Sequence, residues 1–347
     1  MRPSRSLPLL AAVASAALLA GCSATPAADP ANPGTDEAGS FTLYSGRDEE
    51  LVQPLIDLFE EQTGITVDVR YGNTAELGAL LLEEGEATPA QVFLSQDAGA
   101  LGALSQAGLF ATLPDDIAGA VPAGFTSTDD SWVGITGRAR VVVYDSEQFT
   151  ADELPDTVAE YVEPEWAGRL GLPPGNASFQ SFVTALRVIE GEQAAEEWVE
   201  ALAGNDLQIF ENNTATLTAV NEGALDVGLI NHYYWFRQAA EVGAESMRAQ
   251  LKFLEAGDPG SMVNVTGAGL LSNAGDDADA LEFVRFLLSQ EGQSYFVEQT
   301  FEYPLLPGVD APDGLPALDT LVNPELDLSD LDDLSTTQEL LAQYGLI

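Results

Sequence analysis

From residue 41 onward the chain alternates two hydrophobic periodicities. Residues 41–44 read as a short strand, and Gly46 turns it into a helix marked by Leu51, Leu55, Leu58 and Phe59 and stopped at Gly64. Pro54 lies early in that segment and is expected in its first turns. Residues 65–69 form the next predicted strand. The spacing of Leu77, Leu80 and Leu81 predicts a helix over 74–84. A buried strand over 92–94 and a helix over 97–107, closed by Gly108, follow. Residues 132–144 contain the strand Arg140-Val141-Val142-Val143-Tyr144. Beyond it the pattern predicts strands over 170–172, 225–230 and 263–271. Helices are predicted over 178–190, over 214–222 with Asn213 as N-cap, and over 277–289. The final helix carries Ser335 and Gln338 at capping-box spacing.

Strand and helix alternating in this way predict an α/β architecture with helices on both faces of a sheet. Ligands on such sheets sit at the carboxyl ends of strands. That directs attention to Ser45-Gly46-Arg47-Asp48, Ser95-Gln96-Asp97, Gly175-Asn176-Ala177-Ser178 and the turn around Asn213. The 347 residues suffice for two domains or lobes.

The amino terminus follows a different logic. Arg2 and Arg5 precede an apolar stretch, residues 7–20, too short to span a bilayer as a stable helix. It ends in Leu19-Ala20-Gly21-Cys22, which resembles the lipobox of bacterial lipoproteins. The resemblance implies a signal peptide over 1–21, cleavage before Cys22 and a diacylglycerol on its thiol. Residues 22–40, rich in Ala, Pro, Asp and Gly without periodicity, read as a flexible tether.

Charge removes whole classes of function. Twelve Lys and Arg face 56 Asp and Glu, a net charge of −44, made more negative by two when the leader takes Arg2 and Arg5 with it. Such a field repels nucleic acid and anionic membranes. With one Cys and one His, intrachain disulfides and a zinc site built on Cys and His are excluded. A hydrolase would have His232 as its only conventional base and lacks a G-x-S-x-G elbow. Any metal must rely on oxygen donors. Asp330-Leu331-Asp332-Asp333 lacks the twelve-residue calcium loop and reads as a turn.

The informative segment is Asn231-His232-Tyr233-Tyr234-Trp235, where a buried strand ends and the chain turns. The turn allows both phenols to reach one cleft. A phenol ionises near pH ~10, but a strongly charged cation displaces the proton because metal ligands bind deprotonated. Phenolate is a hard donor, and ferric ion is the hard cation that rewards two of them. The competing reading packs both tyrosines at an interface with their hydroxyls satisfied.

Several segments together resemble the periplasmic ferric-ion-binding proteins of ABC iron importers. Phe41-Thr42-Leu43-Tyr44-Ser45-Gly46-Arg47 is similar to the family's opening strand. Gly137-Arg138-Ala139-Arg140-Val141-Val142-Val143-Tyr144 is similar to its lobe-crossing strand. Residues 213–222 with the tyrosine segment resemble its iron site. The resemblance implies a two-lobed periplasmic-binding-protein (venus-flytrap) fold with a hinge. The expected lobes are 41–138 with about 265–305, and 139–264 with about 306–347. Tyr233 and Tyr234 carry over as iron ligands.

The same resemblance implies a small anion, carbonate or phosphate, cradled by Arg138, Asn176, Ala177, Ser178, Asn213 and Asn231. Some members place a His where this chain has Asp48, and a Glu where it has Ser95-Gln96-Asp97. Asp48, Gln96 and Asp97 are therefore the further candidate ligands. A third tyrosine of other members has no counterpart, since Phe179 and Phe182 lack the hydroxyl. The expectation is a monomeric, non-enzymatic lipoprotein on the outer face of the cytoplasmic membrane. It would capture ferric ion and deliver it to an ABC permease with its ATPase, without nucleic acid. The alternative is the same fold binding an organic solute, such as a phosphonate, thiamine-like cation or polyamine, stacked on the tyrosines and Trp235.

Overall fold

The computed structural model describes residues 39–321 and 326–347. The leader, Cys22 and all but the last two residues of the expected tether lie outside the described residues.

The elements run β1 (Ser40–Ser45), α1 (Glu49–Thr63), β2 (Thr66–Tyr71), α2 (Thr74–Glu84), β3 (Val92–Ser95), α3 (Ala98–Gln106), α4 (Asp115–Ala118) and β4 (Trp132–Asp145). They continue through β5 (Leu170–Leu172), α5 (Ala177–Glu190), α6 (Glu192–Gly204), β6 (Gln208–Ile209), α7 (Asn213–Asn221), β7 (Val227–Asn231), α8 (His232–Val242) and β8 (Ala249–Lys252). The last are β9 (Val263–Leu270), α9 (Ala278–Leu287), α10 (Gln290–Tyr295), β10 (Tyr303–Pro304) and α11 (Leu334–Gln343). The strand–helix alternation of the sequence is thus present. Pro54 lies deeper in α1 than its first turn, so the helix forgoes one backbone bond there.

Two stretches escaped the sequence pattern. Residues 192–204 form α6, which buries Ala195, Trp198, Val199 and Leu202 at helical spacing. The tyrosine segment is the first turn of a helix, α8, rather than a bare turn. At the C-terminal helix Asp333 is the cap, accepting from Thr336 N at 3.2 Å, while Gln338 turns away to donate to Gln180 Oε1 at 3.0 Å. The expected Ser335–Gln338 box therefore does not form: the helix already begins at Leu334, which places Ser335 inside it and leaves Asp333 at the cap position.

The sheet runs β2-β1-β3-β9-β4-β7-β5-β6, with β8 and β10 also paired to β4. β4 is the shared element. Its residues Trp132 to Ala139 pair with β9, and Arg140 to Tyr144 pair with β7, all antiparallel. All fourteen of its residues are buried, as expected of a strand covered on both sides. One half of the sheet is backed by α1 and α9, where Phe59 meets Phe283 at 5.2 Å. The other is backed by α5 and α6, where Phe182 meets Trp198 edge-on at 5.4 Å. The tail touches both halves: the turn Leu328–Asp332 packs on α3 and α5, and α11 packs on α5 and α6. No helix among the described residues is long and apolar enough to cross a membrane.

Candidate metal and anion site

Three parallel strands, β5, β6 and β7, each lead into a helix: α5, α7 and α8. Their N-termini therefore gather at one edge, where free backbone amides and helix dipoles favour negative charge. Asn176 caps α5, its Oδ1 accepting from Ser178 N at 3.0 Å and Ser178 Oγ at 2.6 Å. Ala177 and Ser178 are buried beneath that turn. The sequence assigned the α7 cap to Asn213, and the structure corrects it by one residue. Asn212 accepts from Ala215 N at 2.9 Å. Asn213 thereby becomes the first helical residue, fully buried, with neither Oδ1 nor Nδ2 partnered. Asn231 stands at the cap position of α8 without a capping bond, and its Nδ2 is also unpartnered.

Tyr233 and Tyr234 follow on the first turn of α8. Neighbours on a helix normally diverge, yet here the rings stack at 4.2 Å and 28°. At a first turn no preceding turn limits side-chain direction. Tyr233 is buried, while Tyr234 is half-buried and faces the cleft. Burial pushes the Tyr233 hydroxyl well above its usual value. The like charge of Tyr234 adds to this, and Arg47 and Arg138 oppose it. Tyr233 is therefore neutral at rest and poised to ionise only for a strong cation.

His232 is no ligand. Ala139 N donates to its Nδ1 at 3.1 Å, and its Nε2 lies 2.8 Å from Phe301 O. Those contacts fix the neutral Nε2–H tautomer, and burial pushes its pKa down to about 4.

The facing wall comes from the other half of the sheet. Arg47, on the turn after β1, is buried and ion-paired with Glu302. It also donates to Thr266 Oγ1 at 3.0 Å and lies 5.7 Å from the Tyr233 ring centre. Gly46 permits that turn, because a Cβ there would stand 1.9 Å from Thr74 Oγ1. Arg138 donates from Nη2 to Val265 O at 3.2 Å, but its Nε and Nη1 have no partner. No carboxylate among the described residues pairs with it.

Asp97 caps α3 and accepts from Ser181 Oγ at 2.9 Å, leaving Oδ2 unpartnered. Burial holds its carboxyl above the usual range. Gln96 is half-buried and Asp48 exposed, the latter at the start of α1 without a capping bond. Both face a cleft of about 1760 Å³ that Arg47, Asn176, Asn212 and Tyr234 also line. Tyr233, Asp97, Arg138, Ala177, Ser178, Asn213 and Asn231 lie outside that lining.

Among the described residues no three His, Cys, Asp or Glu side chains form a metal cage. A hard cation would have to use the phenols. The site fits an anion, since buried Arg138 and Asn213 hold polar atoms that nothing among the described residues satisfies. Arg47 lay within a quoted motif without a role. Glu302 carried no local signal, for it reaches Arg47 across 255 positions. Asn264, with an unpartnered Nδ2 opposite Arg138 in the ladder, was missed for the same reason.

Residues 87–324 match the family described as bacterial extracellular solute-binding protein. The chain is 34% identical over 317 residues to the major ferric iron-binding protein of Neisseria meningitidis serogroup B, covering 90% of this chain and 95% of that one. Its fold is similar to iron-bound HitA from Pseudomonas aeruginosa, with a TM-score of 0.83 and 32% identity over 88% of this chain and 99% of that one. It also resembles the Trichodesmium protein IdiA (FutA) in complex with iron and citrate, with a TM-score of 0.75 and 28% identity over 89% of this chain and all of that one.

Proposed function

Because the chain belongs to the bacterial extracellular solute-binding proteins, we propose that it captures ferric ion with a small synergistic anion in the cleft between its two lobes and delivers the ion to an ABC permease. The relatives are named for ferric iron, and one solved structure holds iron with citrate. The observation that carries the reading is the stacked, half-sheltered pair Tyr233 and Tyr234 opposite a wall of unsatisfied donors.

Ferric ion arrives as cargo. Tyr233 and Tyr234 release their protons and bind it as phenolates, the cation repaying the cost that burial imposes. Arg138, Asn213 and Asn231 present their unpartnered atoms to the anion, and the α5 turn at Asn176, Ala177 and Ser178 adds the positive end of its helix dipole. Asp48 and Gln96 at the cleft surface, and Asp97 behind it, are the candidates for remaining iron contacts. Bridging the two halves through metal and anion favours the closed arrangement. The lobes are assigned to 41–138 with about 265–305, and to 139–264 with about 306–347, hinged through β4 and β9.

The role is transport rather than catalysis. His232, the only histidine, has both ring nitrogens committed to backbone groups and is not free as a base. Cys22 is assigned the lipid anchor holding a monomer to the outer face of the cytoplasmic membrane. Cys22→Ser should release the protein from membranes and abolish lipid labelling.

The central test is spectroscopic. Ferric ion with bicarbonate or phosphate should produce a coloured phenolate complex with the mature protein. Replacing both Tyr233 and Tyr234 by Phe should abolish it. A colourless wild type, or colour surviving in the double variant, overturns the reading.

A further inference from the structure

The buried layer behind the cleft holds more positive charge than nearby carboxylates balance. Arg138 and Arg140 stand two positions apart on β4, so their side chains leave the same face, about 7 Å apart along the strand. Arg47 is neutralised by Glu302. Asp97 faces Arg138 without forming an ion pair. Arg140 has no counter-charge at all.

Its surroundings are those of a core residue. Arg140 is buried, with the Phe179 and Phe182 rings at 5.3 and 4.9 Å. Nη1 reaches Ser178 O at 3.3 Å, Nη2 reaches Leu229 O only at 3.5 Å, and Nε is unpartnered. Burial pushes its pKa down to about 9, with no acidic group opposing the shift, so the guanidinium is still charged at neutral pH. A full positive charge thus lies directly behind the first turn of α5, where the positive end of the helix dipole already favours an anion although Asn176 takes the Ser178, Phe179 and Gln180 amides.

We propose that Arg140 is a specificity-determining residue which, together with Arg138, commits the anion site to anions bearing two or more negative charges. The inference rests on the ferric-ion reading above. Ferric ion held by two phenolates leaves one positive charge. Three arginines against Glu302 and Asp97 leave at least one more. Asp48, exposed at the cleft surface, stands outside this buried set, so a dianion neutralises the buried groups and a monoanion leaves a buried charge unbalanced, which is costly in a low-dielectric interior. Arg140 acts at a distance, through Ser178 and the α5 turn, and needs no contact with the ligand.

The test compares oxalate with oxamate, planar molecules of the same shape that differ by one charge. The mature protein is titrated with each at fixed ferric ion, reading phenolate-to-iron absorbance. Thermal shift with each anion, with and without ferric ion, is read in parallel. Wild type should half-saturate with oxalate at a concentration at least about tenfold below that for oxamate, the scale of an unbalanced buried charge. Arg140→Met should fold, since a hydrophobic residue of similar length often replaces a buried charge without loss. It should shrink the oxalate preference about fivefold or more, chiefly by weakening oxalate. Arg140→Lys, which keeps the charge, should retain the preference.

An unchanged oxalate-to-oxamate ratio in Arg140→Met overturns the proposal, as does a wild type that does not discriminate. Loss of the preference in Arg140→Lys as well would assign the effect to packing and overturn it too. Absence of colour and of any ferric thermal shift, whatever the anion, would instead sink the ferric-ion reading.

Discussion

Tyr233 and His232 are adjacent, buried and opposite in use. In the proposed iron site Tyr233 keeps its proton until a cation replaces it, so ferric binding should release protons and weaken as pH falls. Single Tyr233→Phe and Tyr234→Phe variants should each lower ferric affinity by at least about 100-fold, beyond the losses seen for groups that merely orient a ligand. Competition with a chelator of known affinity measures this. His232 is buried neutral, its folded pKa near 4 and its unfolded value near ~6.5. The folded state therefore binds fewer protons in that window. Stability from this residue is complete above about pH 6.5 and falls by roughly 3 kcal/mol as pH drops to 4. Urea unfolding at pH 7 and pH 4.5 should show a smaller pH-dependent loss in His232→Gln than in wild type. The tyrosines stood out because two adjacent phenols follow a buried strand, though their ligand role came from the family resemblance, since packing at an interface would use them as well. The histidine's role was not, because Ala139 and Phe301 lie 93 and 69 residues away.

At the scale of elements, one residue of register decides which asparagine is left free. Either Asn212 or Asn213 is an acceptable cap by type. The chain uses the exposed Asn212, which leaves Asn213 buried and unpartnered. Asn212→Ala should cost about 1 kcal/mol of stability with little effect on the anion. Asn213→Ala should cost less stability, since no bond is lost, and should weaken anion-dependent ferric binding. Thermal unfolding alongside anion titration separates the two. Strand–helix order was readable from periodicity over 41–107 because each element alternates or recurs on its own. α6 was passed over despite its helical spacing, its acidic exposed face masking Trp198 and Leu202. The α8 start was missed because a polar and aromatic first turn carries no helical stripe.

For the whole molecule, β4 joins two halves that meet different partners, and cargo held between them should close the cleft. Small-angle scattering should show a smaller radius of gyration with ferric ion and oxalate together. No change is expected in the Tyr233→Phe, Tyr234→Phe double variant. The surrounding charge of −44 opposes free anions, so anion capture without iron should improve as salt rises from 10 to 150 mM, the range over which screening length falls from about 30 to 8 Å. The arginines that overcome this field are hidden on β4 and behind β1, where solvent and salt do not reach them.

The sequence by itself determined the α/β order, the excess of acidic residues, the scarcity of soft metal ligands and the tyrosine pair. These depend on composition and on contacts between near neighbours. Only the tertiary structure decided which asparagine is free, which arginines lack counter-charges, and that Glu302 locks Arg47 beneath Tyr233. Those facts are set by burial and by pairs far apart in the chain. Whether a buried polar atom is satisfied depends on what the fold brings beside it, and local pattern does not encode that.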